Sequence, residues 1–164
     1  MEDIEKKLNG IVIPSGNKLE DIERAKTAIE FNKRNSSNVP YIISGIGPDI
    51  NEALFNGRQD KNSLDFHWEL YDYIMKNTEG IAGLDIRSLN SEQNILNTFP
   101  EETSGRYALV SYPLHLRRFK GIVDKYKSEG EISKDLEIEY VPTRKTSSLN
   151  QIIYEGARFL KKII

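Results

Sequence analysis

His115 and Arg118 are the two side chains in this sequence best suited to chemistry on a ligand. They lie three residues apart near a predicted helix start, and this spacing places both on one side of a helix. Histidine exchanges protons near neutral pH, and arginine holds a phosphate or carboxylate through two hydrogen bonds. Other basic residues surround the pair, so the spacing alone fits a solvated basic helix face equally well. We treat His115 as a candidate catalytic acid or base and Arg118 as a candidate anion ligand.

Small and polar residues follow each of the first four predicted strands. In chain order they are Ser15, Gly16 and Asn17, then Ser44 and Gly45, then Ser88 and Ser91, and finally Ser111. Glycine permits close approach of the backbone to a ligand, and amides at a helix start attract anions. In open α/β sheets, ligands bind beyond the carboxyl ends of the strands, where the strand order reverses. The four turns therefore predict one site for a small anionic molecule.

Several other chemistries find no support in the sequence. The absence of cysteine excludes disulfides, thiolate zinc sites and cysteine nucleophiles. Gly45 and Gly47 lack the third glycine of a dinucleotide fingerprint, and no Gly-Lys-Ser/Thr phosphate loop occurs. His67 is too far along the chain from His115 to form a metal motif, and the acidic residues of the long loop fit no calcium-binding pattern. We therefore predict no metal site, and the sequence identifies no cofactor.

Apolar runs alternate with helical periodicities and predict the elements that position these residues. Strands are predicted at residues 10–13, 40–43, 83–86, 107–110 and 136–141. Helices are predicted at residues 18–34, 64–76, about 91–99, about 116–126 and about 149–160. Asn90, with Gln93 three residues later, has the form of a helix start, and residues 48–62 form a long polar connection. The alternation predicts an α/β fold in one domain, residues 1–164: a doubly wound, Rossmann-like three-layer sandwich with a mainly parallel sheet of about five strands.

Composition limits the partners of this chain. The 23 basic and 25 acidic residues nearly cancel, so no overall positive field favours nucleic acid. The amino terminus is charged rather than apolar, and no stretch approaches the roughly 18 apolar residues of a membrane span. We expect a cytoplasmic protein that binds neither membranes nor nucleic acid, and the oligomeric state stays open.

The order of these segments resembles the SanA/YdcF-like (ElyC-like) family of α/β proteins over nearly the whole chain. The two most specific similarities are to the family's Ser-x-x-Thr-x-Glu-Asn stretch, represented by residues 88–94, and to its Thr-Ser-x-x-His-x-x-Arg stretch, represented by residues 111–118. Ser111 and Tyr112 stand where the family has Thr-Ser. In the second stretch, His115 and Arg118 fall in register. The strand and Gly-rich turn that open the family pattern resemble residues 11–16, and its Ser-Gly-Gly turn resembles residues 44–46.

The resemblance implies further roles for individual residues. Asn94 would contact the ligand. Arg24, Glu69 and Gln93 would not touch the ligand but would hold the residues that do. Gln93 stands where the family has glutamate, and this exchange removes a candidate base or charge partner. Ser91 likewise stands for a threonine. The family is poorly characterised biochemically, and binding of an adenosyl-type nucleotide has been proposed for part of it.

Three functions are compatible with these observations. The first is a hydrolase or transferase acting on a phosphate-bearing or nucleotide-like substrate, with His115 as acid or base. The second is a protein that binds a nucleotide or adenosyl cofactor without catalysis. The third is a structural or interaction module, which leaves the assembled polar turns unexplained.

Overall fold

The computed structural model describes residues 7–15, 18–35, 37–45, 69–85, 88 and 90–144. The strands in these ranges are β1 (Leu8–Pro14), β2 (Tyr41–Ser44), β3 (Ile81–Asp85), β4 (Gly105–Ser111) and β5 (Leu136–Pro142). The helices are α1 (Lys18–Arg34), α2 (Glu69–Asn77), α3 (Ser91–Thr98) and α4 (Pro113–Glu129). The predicted connection at 48–62, the start of the predicted helix at 64–76 and the predicted last helix at 149–160 lie outside the described residues.

The five strands form one parallel sheet in the order β3-β2-β1-β4-β5. The predicted Rossmann-like α/β fold is therefore confirmed. The chain first builds the sheet outward from β1 through β2 to β3, and it then crosses back to place β4 on the other side of β1. This reversal makes the carboxyl ends of β1 and β4 the switch point, where ligands bind in open α/β sheets. β5 forms one edge of the sheet, in agreement with its partly alternating sequence.

Alternating side chains of the central strands pack into two separate cores, one on each face of the sheet. Ile11 and Ile13 of β1 join α1 and α2 in the first core. Val12 of β1 and Leu109 of β4 join α3 and α4 in the second. Because successive residues of a strand point to opposite faces, the continuous apolar runs of β1 and β4 serve both layers. This arrangement is the three-layer sandwich that the sequence predicts.

Two helices on the second face begin at the carboxyl edge of the sheet. Asn90 caps α3, since its side-chain oxygen accepts hydrogen bonds from the amides of Glu92 and Gln93, both at 3.0 Å. In α4 the Tyr112 side chain makes no capping hydrogen bond, and Pro113 occupies the first turn. Both amino termini thus direct their positive ends to the edge where the strands end. Within the described ranges, no helix has the length and apolar character needed to span a bilayer.

Candidate functional site

His115 lies in the first turn of α4 and contacts residues from two other elements. Its Nδ1 atom is 3.0 Å from Oγ of Ser111, the last residue of β4. Its Nε2 atom is 3.3 Å from Oγ of Ser91, the first residue of α3. The ring packs against Phe119 with 4.3 Å between ring centroids. Both ring nitrogens therefore face hydroxyl groups at the carboxyl edge of the sheet.

Arg24 of α1 reaches the same histidine from the opposite face of the sheet. Its side chain is 1% exposed, and NH1 donates to the carbonyl oxygen of Pro14 at 2.8 Å and to Oδ1 of Asp21 at 3.1 Å. NH2 donates to Oε2 of Glu20 at 3.1 Å and lies 3.4 Å from Nδ1 of His115. A buried guanidinium needs such compensation, because desolvation of an unpaired charge costs several kcal/mol by order of magnitude. Arg24 therefore links the end of β1 to the first turn of α4.

Asp21 and Tyr112 complete the surroundings of Arg24. Ser15 donates from Oγ to Oδ2 of Asp21 at 2.9 Å, which ties the turn after β1 to this network. The guanidinium of Arg24 lies 5.3 Å from the centre of the Tyr112 ring. Burial raises the pKa of Tyr112 and the Glu20 carboxylate raises it further, while Arg24 acts in the opposite direction. Neither residue is predicted from the sequence as part of the site, although Asp21 lies at the i,i+3 spacing from Arg24 that favours an ion pair.

A second polar cluster lies beside the first, at the end of β2. Ser44 donates from Oγ to the carbonyl oxygen of Asn94 at 3.1 Å and accepts a hydrogen bond from Thr98 at 3.0 Å. Gly45 has a φ of +83°, and a Cβ atom built on it would lie 2.4 Å from Oδ1 of Asn94. Among the described residues, this buried Oδ1 atom finds no hydrogen-bond donor. Ser91 and Asn94 are three residues apart on α3, so this helix joins the two clusters.

The hydroxyl and the amide of Ser88 form hydrogen bonds with neighbouring residues of the protein. Its hydroxyl donates to the carboxylate of Asp85, its amide donates to Oδ1 of the same group at 3.2 Å, and Asn97 donates to its Oγ at 2.8 Å. Ser44 also has its hydroxyl engaged by neighbouring residues. Both serines lie at the predicted edge, and their main contacts support the turns.

The remaining predicted site residues differ in how closely they approach this edge. Arg118 is half-buried, one turn beyond His115, whereas its neighbour Arg117 is exposed. Gln93 is exposed in the first turn of α3. The other three, Gly16, Asn17 and the side chain of Glu69, lie outside the described residues.

The described part of the chain contains no group of three histidine, aspartate, glutamate or cysteine residues placed to hold a metal ion. Comparison with known protein families, with curated proteins and with solved structures finds no match for this chain. The resemblance to the SanA/YdcF-like family therefore stays a prediction, and the site is interpreted from its own geometry.

Proposed function

We propose that this protein binds a small anionic molecule, phosphate-bearing or nucleotide-like, at the carboxyl ends of β1 and β4 and acts on it as a hydrolase or transferase. One observation carries the proposal: the His115 ring lies at the point where the strand order reverses, with Ser111 on one nitrogen and Ser91 on the other. A histidine held between hydroxyls at such a switch point has the placement of a general acid or base.

The start of α4 offers amide donors for an anion. It lies at the carboxyl edge of the sheet without a side-chain cap, and uncapped helix starts bind phosphate and carboxylate groups through their amides and dipole. Arg118 follows His115 by one turn and would bind the anion through a charged, bidentate contact. In this proposal, His115 transfers a proton to or from the reacting oxygen, and Ser91 and Ser111 orient the ring.

The first test is thermal unfolding with inorganic phosphate, nucleotides, adenosyl compounds, sugar phosphates and divalent metal ions. A ligand at about 100 times its dissociation constant stabilises a protein by roughly 2.7 kcal/mol, which gives a clear shift in Tm. Arg118→Ala should abolish the shift, and Arg117→Ala, one residue away and exposed, should retain it. A well-folded protein that no compound stabilises contradicts the proposal.

Binding without catalysis is the second candidate, and the environment of Nδ1 favours it. A guanidinium only donates hydrogen bonds, so Arg24 beside Nδ1 favours a ring whose proton is on Nε2. Such a ring is a donor to Ser91 rather than a base for it, and a donor suffices for binding. His115→Gln separates the two functions. An enzyme loses turnover and retains binding, whereas a binding protein shows no turnover before or after the substitution.

A further inference from the structure

The hydrogen bonds of Arg24 bear on which nitrogen of the His115 ring carries a proton. A guanidinium carries two hydrogens on each terminal nitrogen and one on Nε. NH1 meets two acceptors, the Pro14 carbonyl oxygen and Asp21 Oδ1, and NH2 meets two more, Glu20 Oε2 and His115 Nδ1. Each terminal N–H group thus has one acceptor. Among the described residues, the Nε–H group has none.

His115 Nδ1 accepts the last of these terminal hydrogens only if it carries no proton itself. If Nδ1 carried a proton, one N–H group of Arg24 NH2 would lose its acceptor. Arg24 is 1% exposed, so it would then have two buried N–H groups without an acceptor, this one and Nε–H. The protonated nitrogen would also face a cation at 3.4 Å. The contact with Ser111 does not distinguish the two forms, because a hydroxyl both donates and accepts. Of Arg24 and Ser111, Arg24 is therefore the neighbour of Nδ1 that distinguishes the two forms.

We infer that Arg24 is a positioning residue that holds His115 in the tautomer with its proton on Nε2, directed towards Ser91. In this form the Ser91 hydroxyl accepts from Nε2–H and retains its own hydrogen as a donor. The Ser91 hydroxyl is then a neutral donor at the edge, polarised by the Nε2–H group that it accepts from. The group that this hydroxyl recognises is an acceptor oxygen, as in a phosphate or carboxylate. This last step rests on the proposed function, whereas the tautomer is a property of the protein without ligand.

Nitrogen NMR of the histidine side chains tests the tautomer directly, since the two neutral forms and the imidazolium give distinct 15N patterns. The chain has two histidines, so His67→Gln leaves the signals of His115 alone. At neutral pH and without ligand, we expect the proton on Nε2 and none on Nδ1. A proton on Nδ1, alone or together with Nε2, overturns the inference, and this measurement needs no change at the site.

Substitutions then separate Arg24 from Ser111. Arg24→Met should shift the His115 population towards the Nδ1–H form, and Arg24→Lys should restore the Nε2–H form at least in part, because lysine also only donates. Ser111→Ala is the matched control, since it removes the other neighbour of Nδ1 and should leave the tautomer unchanged. An unchanged tautomer in folded Arg24→Met, or a changed one in Ser111→Ala, contradicts the role of Arg24. If Arg24→Met does not fold, the 15N spectrum of His115 in the protein with Arg24 intact still decides which tautomer is present, and Arg24→Lys tests the role of the arginine.

Inorganic phosphate tests the ligand class in the same sample. Binding should move the Nε2–H resonance of His115 while Nδ1 stays unprotonated. Binding with both nitrogens protonated overturns the acceptor-oxygen assignment. If the tautomer is as inferred but no anion in the thermal panel binds, the proposed function and the ligand class fail together, and the role of Arg24 stands.

Discussion

The two ends of the β-sheet differ in how completely their buried polar groups are satisfied. At the amino end, a cleft of about 570 Å³ lies between the ends of α1 and α2 and the starts of β2 and β3. Asn32 lines this cleft with all its side-chain bonding capacity in use. Its Nδ2 donates to the Val39 carbonyl oxygen at 3.0 Å and to the Tyr41 hydroxyl at 2.9 Å. Its Oδ1 accepts from Ser37 Oγ at 3.0 Å and from the Val39 amide at 3.2 Å.

At the carboxyl end, two buried polar atoms of the described residues lack a hydrogen-bond partner. These atoms are Nε of Arg24 and Oδ1 of Asn94. Native proteins leave few buried polar groups unpaired, and those that remain are often associated with function. An open cleft therefore does not by itself mark the place of chemistry. The cleft at the amino end is lined by a network that holds the fold, whereas the unpaired groups lie where the strands end.

Removal of Asn32 should give the largest loss of stability. Asn32→Leu leaves the Val39 amide, the Val39 carbonyl and the Tyr41 hydroxyl without their partner, and we expect a loss of about 3 kcal/mol in the free energy of unfolding. Urea unfolding measures it. The exposed Asn35→Ala is the control, because its hydrogen bond to the Phe31 carbonyl faces solvent. A loss as small as that of the control would show that the amino-end network is not structural.

Gly45→Ala should have the next largest effect, at the other end of the sheet. Alanine is strained at a φ of +83°, and its Cβ would press on the Asn94 side chain, so we expect a loss of about 2 kcal/mol. Gly130→Ala is closely matched, with a φ of +82° and no atom within 4 Å of the added Cβ, and should lose about 1 kcal/mol.

The difference between these two glycine variants measures the contact with Asn94. Combining Gly45→Ala with Asn94→Ala should recover that difference in urea unfolding. Equal losses for the two single variants would mean that the Asn94 side chain moves aside with no loss in the free energy of unfolding. Such a result would contradict a rigid carboxyl edge.

Tyr41→Phe should have a smaller effect that depends on pH. Loss of the hydrogen bond from Asn32 costs about 1 kcal/mol at neutral pH. Burial raises the pKa of Tyr41 above its ordinary value of 10.0, against the opposing effect of the Asn32 hydrogen bond. The folded state thus retains the phenol proton longer than the unfolded state does, and the wild type loses stability as pH rises through 10.0. Urea midpoints should therefore converge for the two proteins at alkaline pH, and a constant gap contradicts the assignment.

Ser91→Ala should have the smallest effect on stability, about 0.5 kcal/mol, because it removes one long hydrogen bond at 3.3 Å. The same substitution should nevertheless reduce the thermal shift produced by an anionic ligand. Ser128→Ala, on the exposed side of α4, should change neither quantity. If Ser91→Ala costs stability and leaves ligand response unchanged, the carboxyl edge resembles the amino end, and the contrast between them disappears.

The sequence predicts the elements better than the contacts of the site. The bounds of α1 agree with the predicted 18–34, and the helix start at Asn90 is confirmed, because periodicity and capping are local signals. The five strands are in the predicted places, although each extends one or two residues beyond the predicted bounds at one end or both. His115, Ser91 and Ser111 were all predicted as site residues from residue type and turn position. Their mutual contacts were not, since nothing local indicates which hydroxyl faces which ring nitrogen.

By itself, the sequence determined that strands and helices alternate, that small polar residues end the strands, and that His115 opens a helix. Only the tertiary structure decided that Arg24 meets His115, 91 residues away along the chain. That contact depends on β4 lying next to β1, an arrangement that follows from the order of strands in the sheet. Strand order is set by the burial of two apolar layers over the whole domain. Periodicity encodes which face of an element is buried, but it does not encode which neighbour covers it.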